Sequence, residues 1–170
     1  YPFHEEVQDR IVFLGSNIGL TQQRVLEMGV LRAHFKDRFE PIFDYSVPVG
    51  DRGRFGHWKV HLCPEGRKFP THGMRLSATD RPFWSGCMGQ VPVVEDSRWG
   101  GRLDYLHQDG LILRYGHMDI RGMIETCERA LLVDHVQRRR IYDYFNRNET
   151  IGPIAARLIA QHHALTAQTI

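Results

Sequence analysis

Residues 59–66 (KVHLCPEG) and 80–97 (DRPFWSGCMGQVPVVEDS), joined by residues 67–79, decide the fold of this chain. Val60 and Leu62 mark a buried strand that runs out into Cys63-Pro64-Glu65-Gly66. Arg81–Met88 reads as a short helix, Gly89 as its stop, and Val91–Val94 as a second buried strand ending in Glu95-Asp96-Ser97. Strand, helix, strand is the unit from which parallel sheets are built. In such units ligands bind at the carboxyl ends of the strands, where loops, helix starts and backbone N–H groups converge.

Toward the amino terminus, Arg10–Leu14 (RIVFL) is another continuous apolar run, closed by Gly15-Ser16-Asn17. Gln22–Phe35 follows as a helix, with Val25, Leu26, Met28, Gly29, Leu31 and Phe35 at near-helical spacing. The glycine loop between them offers N–H groups to an anion, or is a simple turn. Tyr1–Asp9 is polar and is expected as a turn of helix on the domain edge. Phe39–Val47 reads as a second strand, broken near its start by Pro41, and Pro48–His57 as a loop carrying Arg52 and Arg54. His57–Cys63 is the third strand. The loop Pro64–Thr79 brings Arg67, Lys68, His72 and Arg75 beside a strand end, as a lip that faces an anion or as solvated surface.

Toward the carboxyl terminus, Leu103–Gln108 reads as a short helix and Leu111–Tyr115 as a fifth strand. Met118–Val133 is the clearest amphipathic helix, with Ile120, Met123, Ile124, Cys127, Ala130 and Leu131 on one face and Asp119 at its positive end. His135–Phe145 follows, with Arg138-Arg139-Arg140 expected on a solvated face, and Thr150–Ala164 is the last helix. This alternation predicts an α/β fold: a Rossmann-like, mostly parallel sheet of about five strands with helices on both faces.

A length of 170 residues suits a single α/β domain, residues 1–170, or one half of a larger two-domain enzyme. Apolar content of 42% and charged content of 25% are globular values, and a net charge of +2 calls for no nucleic-acid partner. No stretch approaches the length of a membrane helix and no signal-like segment opens the chain, so a cytoplasmic protein is expected. Three widely spaced cysteines, Cys63, Cys87 and Cys127, fit buried free thiols in a reduced compartment. No metal is expected, because His57 and His61, four apart on a strand, would stand about 13 Å from each other.

Arg81-Pro82-Phe83, then Gly89, then Gln90-Val91-Pro92-Val93-Val94 and Glu95-Asp96 form a pattern that resembles the carboxyl-terminal, nucleotide-sugar-binding half of GT-B glycosyltransferases. The exostosin-like and the bacterial spore-maturation-type transferases show this order of apolar strand, arginine-led helix, glycine and Pro-Val strand. Val60–Gly66 and Arg10–Asn17 look like the strands and loops that precede it, and the Met118–Val133 and Gln137–Phe145 segments like its closing helices. The resemblance implies metal-free transfer of a sugar from a nucleotide sugar to an acceptor, with no cofactor besides the donor. It also implies a second domain or chain that supplies the acceptor site. One position departs from the pattern: where the families carry an acidic residue three after the arginine, this chain has Trp84. An aromatic ring stacks on a base or sugar but accepts no pair of hydroxyl hydrogen bonds. Donor recognition is then altered, moved to Asp80, Glu95 or Asp96, or lost.

A nucleotide sugar needs cations or N–H groups for its diphosphate, a carboxylate for its hydroxyls and an apolar face for its base. Arg75 and Arg81 suit the first, because a guanidinium grips phosphate through two hydrogen bonds. Glu95 and Asp96 suit the second, and Trp84 or Trp99 the third. With the glycine loop, the donor-binding candidates are Gly15, Ser16, Asn17, Arg75, Arg81, Trp84, Gly89, Glu95, Asp96 and Ser97. Plainer uses exist for each: Arg81 in an ion pair with Asp80 or Glu95, Trp84 in the core, Asp96 as a turn residue. Two rival functions stand beside glycosyl transfer. One is a non-catalytic binding or assembly domain of the same fold; the other is a different nucleotide-using α/β enzyme, with a His/Glu pair such as His72 and Glu95 for acid–base work.

Overall fold

The computed structural model describes residues 1–15, 22–43, 55–64, 81–96, 103–150, 152–156 and 158–160. Five strands occur among them: β1 (Gln8–Leu14), β2 (Phe39–Ile42), β3 (Trp58–Cys63), β4 (Val91–Glu95) and β5 (Leu113–Tyr115). They pair side by side in the order β2-β1-β3-β4-β5, and every pairing is parallel. Ile11 aligns with Phe39 on one side and Val60 on the other, Val60 with Val91, and Val93 with Leu113. This apolar ladder is the centre of the core. A parallel sheet of this kind is buried on both faces, which is why its strands read as unbroken apolar runs.

The helices are α1 (Gln22–Phe35), α2 (Arg81–Cys87), α3 (Asp104–Gln108), α4 (Ile120–Leu131) and α5 (His135–Asn148). The chain moves from β1 to β2 in one direction and from β3 to β4 in the other, so right-handed crossovers put α1 and α2 on opposite faces. α4 joins α1 on the first face, where His34 Nε2 lies 2.8 Å from Glu128 Oε1. α5 joins α2 on the second, with Phe145 edge-on to Phe83 at 6.1 Å between ring centroids. The molecule is thus the expected α/β sheet with helices on both sides.

Several boundaries differ from expectation for local reasons. Strand β5 begins at Leu113 because the Leu111 and Ile112 amides both donate to Leu106 O, closing α3. Helix α4 begins at Ile120 because the Asp119 carboxylate accepts from Gly122 N at 2.9 Å, while Met118 takes a left-handed φ of 59°. Helix α5 is capped likewise by Asp134, which accepts from Gln137 N at 2.8 Å. The described part of the second strand ends at Ile42, and residues 44–47 lie outside the described residues. Residues 152–156 and 158–160 are helical. Cys63, Cys87 and Cys127 are buried free thiols, and burial pushes those of Cys87 and Cys127 up.

Two expectations are overturned at the amino end of the sheet. Residues 1–7 form no helical turn, and Arg138, expected on a solvated face, is 1% exposed. Both facts have one cause. Arg138 Nε donates to Gly89 O at 3.0 Å, Nη1 to Glu5 O at 3.1 Å and Nη2 to His4 O at 2.7 Å. Its guanidinium also stands 5.2 Å from the Phe3 ring centroid. Extended backbone is what presents those carbonyls to one side chain. Gln90 makes a similar clamp, its Nε2 donating to Phe55 O at 2.7 Å and Trp58 O at 3.0 Å.

Replacing Arg138 by leucine should leave three carbonyls without their donor, that of Gly89 buried and those of His4 and Glu5 partly so, and cost about 3 kcal/mol in a denaturant melt. The helices give a paired forecast. A Cβ on Gly86 would collide with the Phe145 ring, whereas nothing stands within 4 Å of where one would sit on Gly29. Gly86→Ala should therefore destabilise by about 2 kcal/mol, and Gly29→Ala should stabilise by about 0.8 kcal/mol, both read as shifts in the unfolding midpoint at constant slope.

Candidate functional site

The strand order reverses between β1 and β3, and the crevice outside the carboxyl ends of those strands is where doubly wound sheets bind ligands. At this point β1 runs into Gly15, whose amide donates to Ile42 O at 2.9 Å. The Phe13 ring folds back over Gly15 and leaves no room for a Cβ there. Two guanidinium groups bracket that ring: Arg81 at 5.6 Å and Arg24 at 5.9 Å from its centroid. Arg81, first residue of α2, also donates from Nη1 to Pro64 O at 3.4 Å, just past the end of β3. Both arginines of the crevice therefore stand within cation–π distance of one aromatic ring.

A buried ionic chain continues from Arg24 along the same edge. Arg24 Nη1 donates to Glu27 Oε2 at 2.6 Å, and its Nη2 lies 4.0 Å from Glu95 Oε2. Glu95 closes β4 with a fully buried side chain. Its other oxygen, Oε1, accepts from Met118 N at 3.1 Å and lies 3.0 Å from His117 Nδ1. The Tyr115 hydroxyl is buried and has no hydrogen-bond partner among the described residues. Burial, reinforced by the charge of Glu95, pushes that phenol well above its usual range, so it stays protonated. Asp96, the next residue, is half exposed and pairs with Arg114, which also holds Asp104.

Of the candidates read from sequence, Gly15, Arg81, Glu95 and Asp96 lie at this carboxyl edge. Ser16, Asn17, Arg75 and Ser97 lie outside the described residues, as do Arg52, Arg54, Arg67, Lys68, His72, Asp80 and Trp99. Trp84 is turned onto the sheet, its ring 4.5 Å from that of the fully buried His61. Gly89 sits at the opposite, amino edge, where a φ of +72° ends α2 and its carbonyl meets Arg138. His57 stacks on His4 at 4.1 Å, also away from the crevice. Among the described residues no group of three His, Cys, Asp or Glu side chains is placed to hold a metal ion.

Arg24, Glu27, Tyr115 and His117 were not singled out from the sequence. A signal was present in α1. Its inward face is Arg24, Glu27, Met28, Leu31 and Phe35, a strict helical stripe, while Val25 and Leu26 are 58% and 53% exposed. Counting only apolar residues chose a face one position off.

Fold and edge together define a Rossmann-like α/β domain with a polar, partly buried carboxyl edge. A scan against protein-family models finds none that matches the chain, and a search of curated proteins finds no match. No helix among the described residues is long and apolar enough to cross a membrane.

Deleting the Tyr115 hydroxyl tests the reading of this edge. Because the group is buried without a partner among the described residues, Tyr115→Phe should be neutral or stabilising by up to about 1 kcal/mol in a thermal melt. A loss of stability would mean that the hydroxyl is already engaged.

Proposed function

We propose that the chain binds a nucleotide sugar at the carboxyl edge of its sheet and serves as the donor-binding part of a glycosyltransferase. The observation that carries this reading is the position of Arg81, at the reversal of strand order, beside the end of β3 and over the Phe13 ring. A guanidinium there suits a diphosphate, and stabilising the charge that develops on a leaving nucleoside diphosphate is the main electrostatic task of glycosyl transfer. The resemblance of residues 81–96 to the donor half of GT-B enzymes supports the same assignment. The Gly15 amide is held by Ile42 O, so backbone N–H groups for the phosphates would have to come from the residues that follow it. Asp96, half exposed, is the carboxylate best placed for sugar or ribose hydroxyls. A second domain or chain would bring the acceptor.

A second reading, a binding or assembly domain without transferase activity, is favoured by Trp84. It stands where the families carry a carboxylate, and here it packs on His61. The two readings part on ligand binding. At a hundred times the dissociation constant, UDP, GDP, ADP, CMP or one of their sugars should stabilise the domain by about 2.7 kcal/mol, a rise of several degrees in melting temperature. The rise should be specific to one nucleotide and disappear in Arg81→Ala. No rise with any nucleotide would overturn the donor-binding reading in favour of the assembly domain.

A further inference from the structure

Residues 1–7 lie ahead of β1 and are fastened to the amino edge of the sheet from α5 and from the end of α2. Tyr1 O accepts from the Tyr142 hydroxyl at 2.9 Å, Glu5 O and His4 O accept from Arg138, and the Phe3 ring fills the space that a Cβ on Gly89 would need. Within this segment the half-buried His4 ring lies on Gly56, its Cδ2 3.0 Å from where a Cβ would sit there. It also meets the exposed His57 ring at 4.1 Å between centroids. Among the described residues neither imidazole has an ion-pair or hydrogen-bond partner, so a proton on either ring finds no carboxylate paired with it. The charges that bear on His4 from the body of the protein are cationic: Arg138 from α5 and, when protonated, His57 from the segment before β3. Met88, Gly89 and Gln90, at the end of α2, carry no charge. The other charges nearby are engaged or in solvent: Arg139 over Phe3 pairs with Asp143, Lys59 pairs with Asp9, and Glu5 and Glu6 are exposed.

We propose that residues 1–7 form a proton-released strap: protonation of the His4–His57 pair, beside the permanent charge of Arg138, detaches them from the amino edge, with the start of β1 as the hinge. Like charges at the separation of these two rings repel even through water. Burial first, then the nearness of His57 and Arg138, hold the His4 imidazole below its usual range while the strap is docked. A detached His4 takes up its proton at the ordinary value of about 6.5, so acid favours the detached form. Attachment is therefore complete above about that pH and is lost as the pH falls below it. Detachment withdraws the His4 and Glu5 carbonyls from Arg138, whose Nε keeps its bond to Gly89 O. α5 and the end of α2 then stay joined, and the opening is local rather than global.

Backbone amide order parameters of the full chain, measured by NMR relaxation at about pH 7.5 and about pH 5.5, test this. Those of Phe3–Val7 should fall from the rigid range, about 0.85, to below about 0.6, while Ile11, Val60 and Val93 stay rigid. The variant His57→Glu, at an exposed position, reverses the sign of the interaction. It sets a carboxylate against His4, so that a proton there tightens the strap, and residues 3–7 should remain rigid at about pH 5.5. Three results would overturn the proposal. The first is unchanged order of residues 3–7 in the wild type. The second is release at the same pH in His57→Glu, which would assign the effect to another group. The third is loss of order in Ile11, Val60 and Val93 together with the strap, which would be acid unfolding of the whole domain.

Discussion

A parallel sheet covered by helices on both faces has no room for polar chemistry except at its two ends, and that constraint organises everything else in this molecule. Backbone hydrogen bonding is satisfied within the sheet, so its interior is filled by apolar side chains such as Ile11, Val60, Leu62, Val93 and Met123. Charged groups that the sequence places near the core must gather where strands begin or stop. They do so in two sets with opposite characters. At the amino end, Arg138 and Gln90 hold backbone carbonyls and tie the first residues of the chain to the sheet. At the carboxyl end, side chains hold one another.

The difference matters for function. A guanidinium that gives all three of its nitrogens to carbonyls, as Arg138 does, is fixed for structural reasons. The carboxyl end instead alternates sign along Glu27, Arg24 and Glu95, so that each buried charge has an oppositely charged neighbour. Such chains are costly to assemble, since removing one partner leaves an uncompensated buried charge at about 3–5 kcal/mol. That arrangement lies next to the reversal of strand order, with Arg81 across the crevice.

Trp84 shows how a residue read for chemistry becomes a residue of packing. Placed on the short helix α2, it has the sheet beneath it, and its ring closes over His61. The helix is itself pressed against α5 so closely that Gly86 admits no side chain. Nothing about Trp84 alone decides between ring stacking on a ligand and ring stacking on the core; the packing of α2 against the sheet and against α5 decides it.

The order of strands and helices was legible in the amino-acid sequence because burial on both faces writes each strand as an apolar run, and glycine and capping residues mark where it stops. Gly89 and Asp119 are legible for the same local reason, since a left-handed turn and a helix start each demand particular residues. Arg81, Glu95 and Asp96 followed from their positions at strand and helix ends. What only the tertiary structure decided is which charged residues face each other. Arg24 and Glu95 are distant in sequence, and β1 and β4 are separated by β3, so their meeting depends on the order of strands in the sheet. Arg138 looked like one third of a solvated basic run because charge is read from sequence as exposure. Its burial needed the carbonyls of His4, Glu5 and Gly89 to converge on one point, and convergence of distant backbone is a property of the fold, not of any local stretch of sequence.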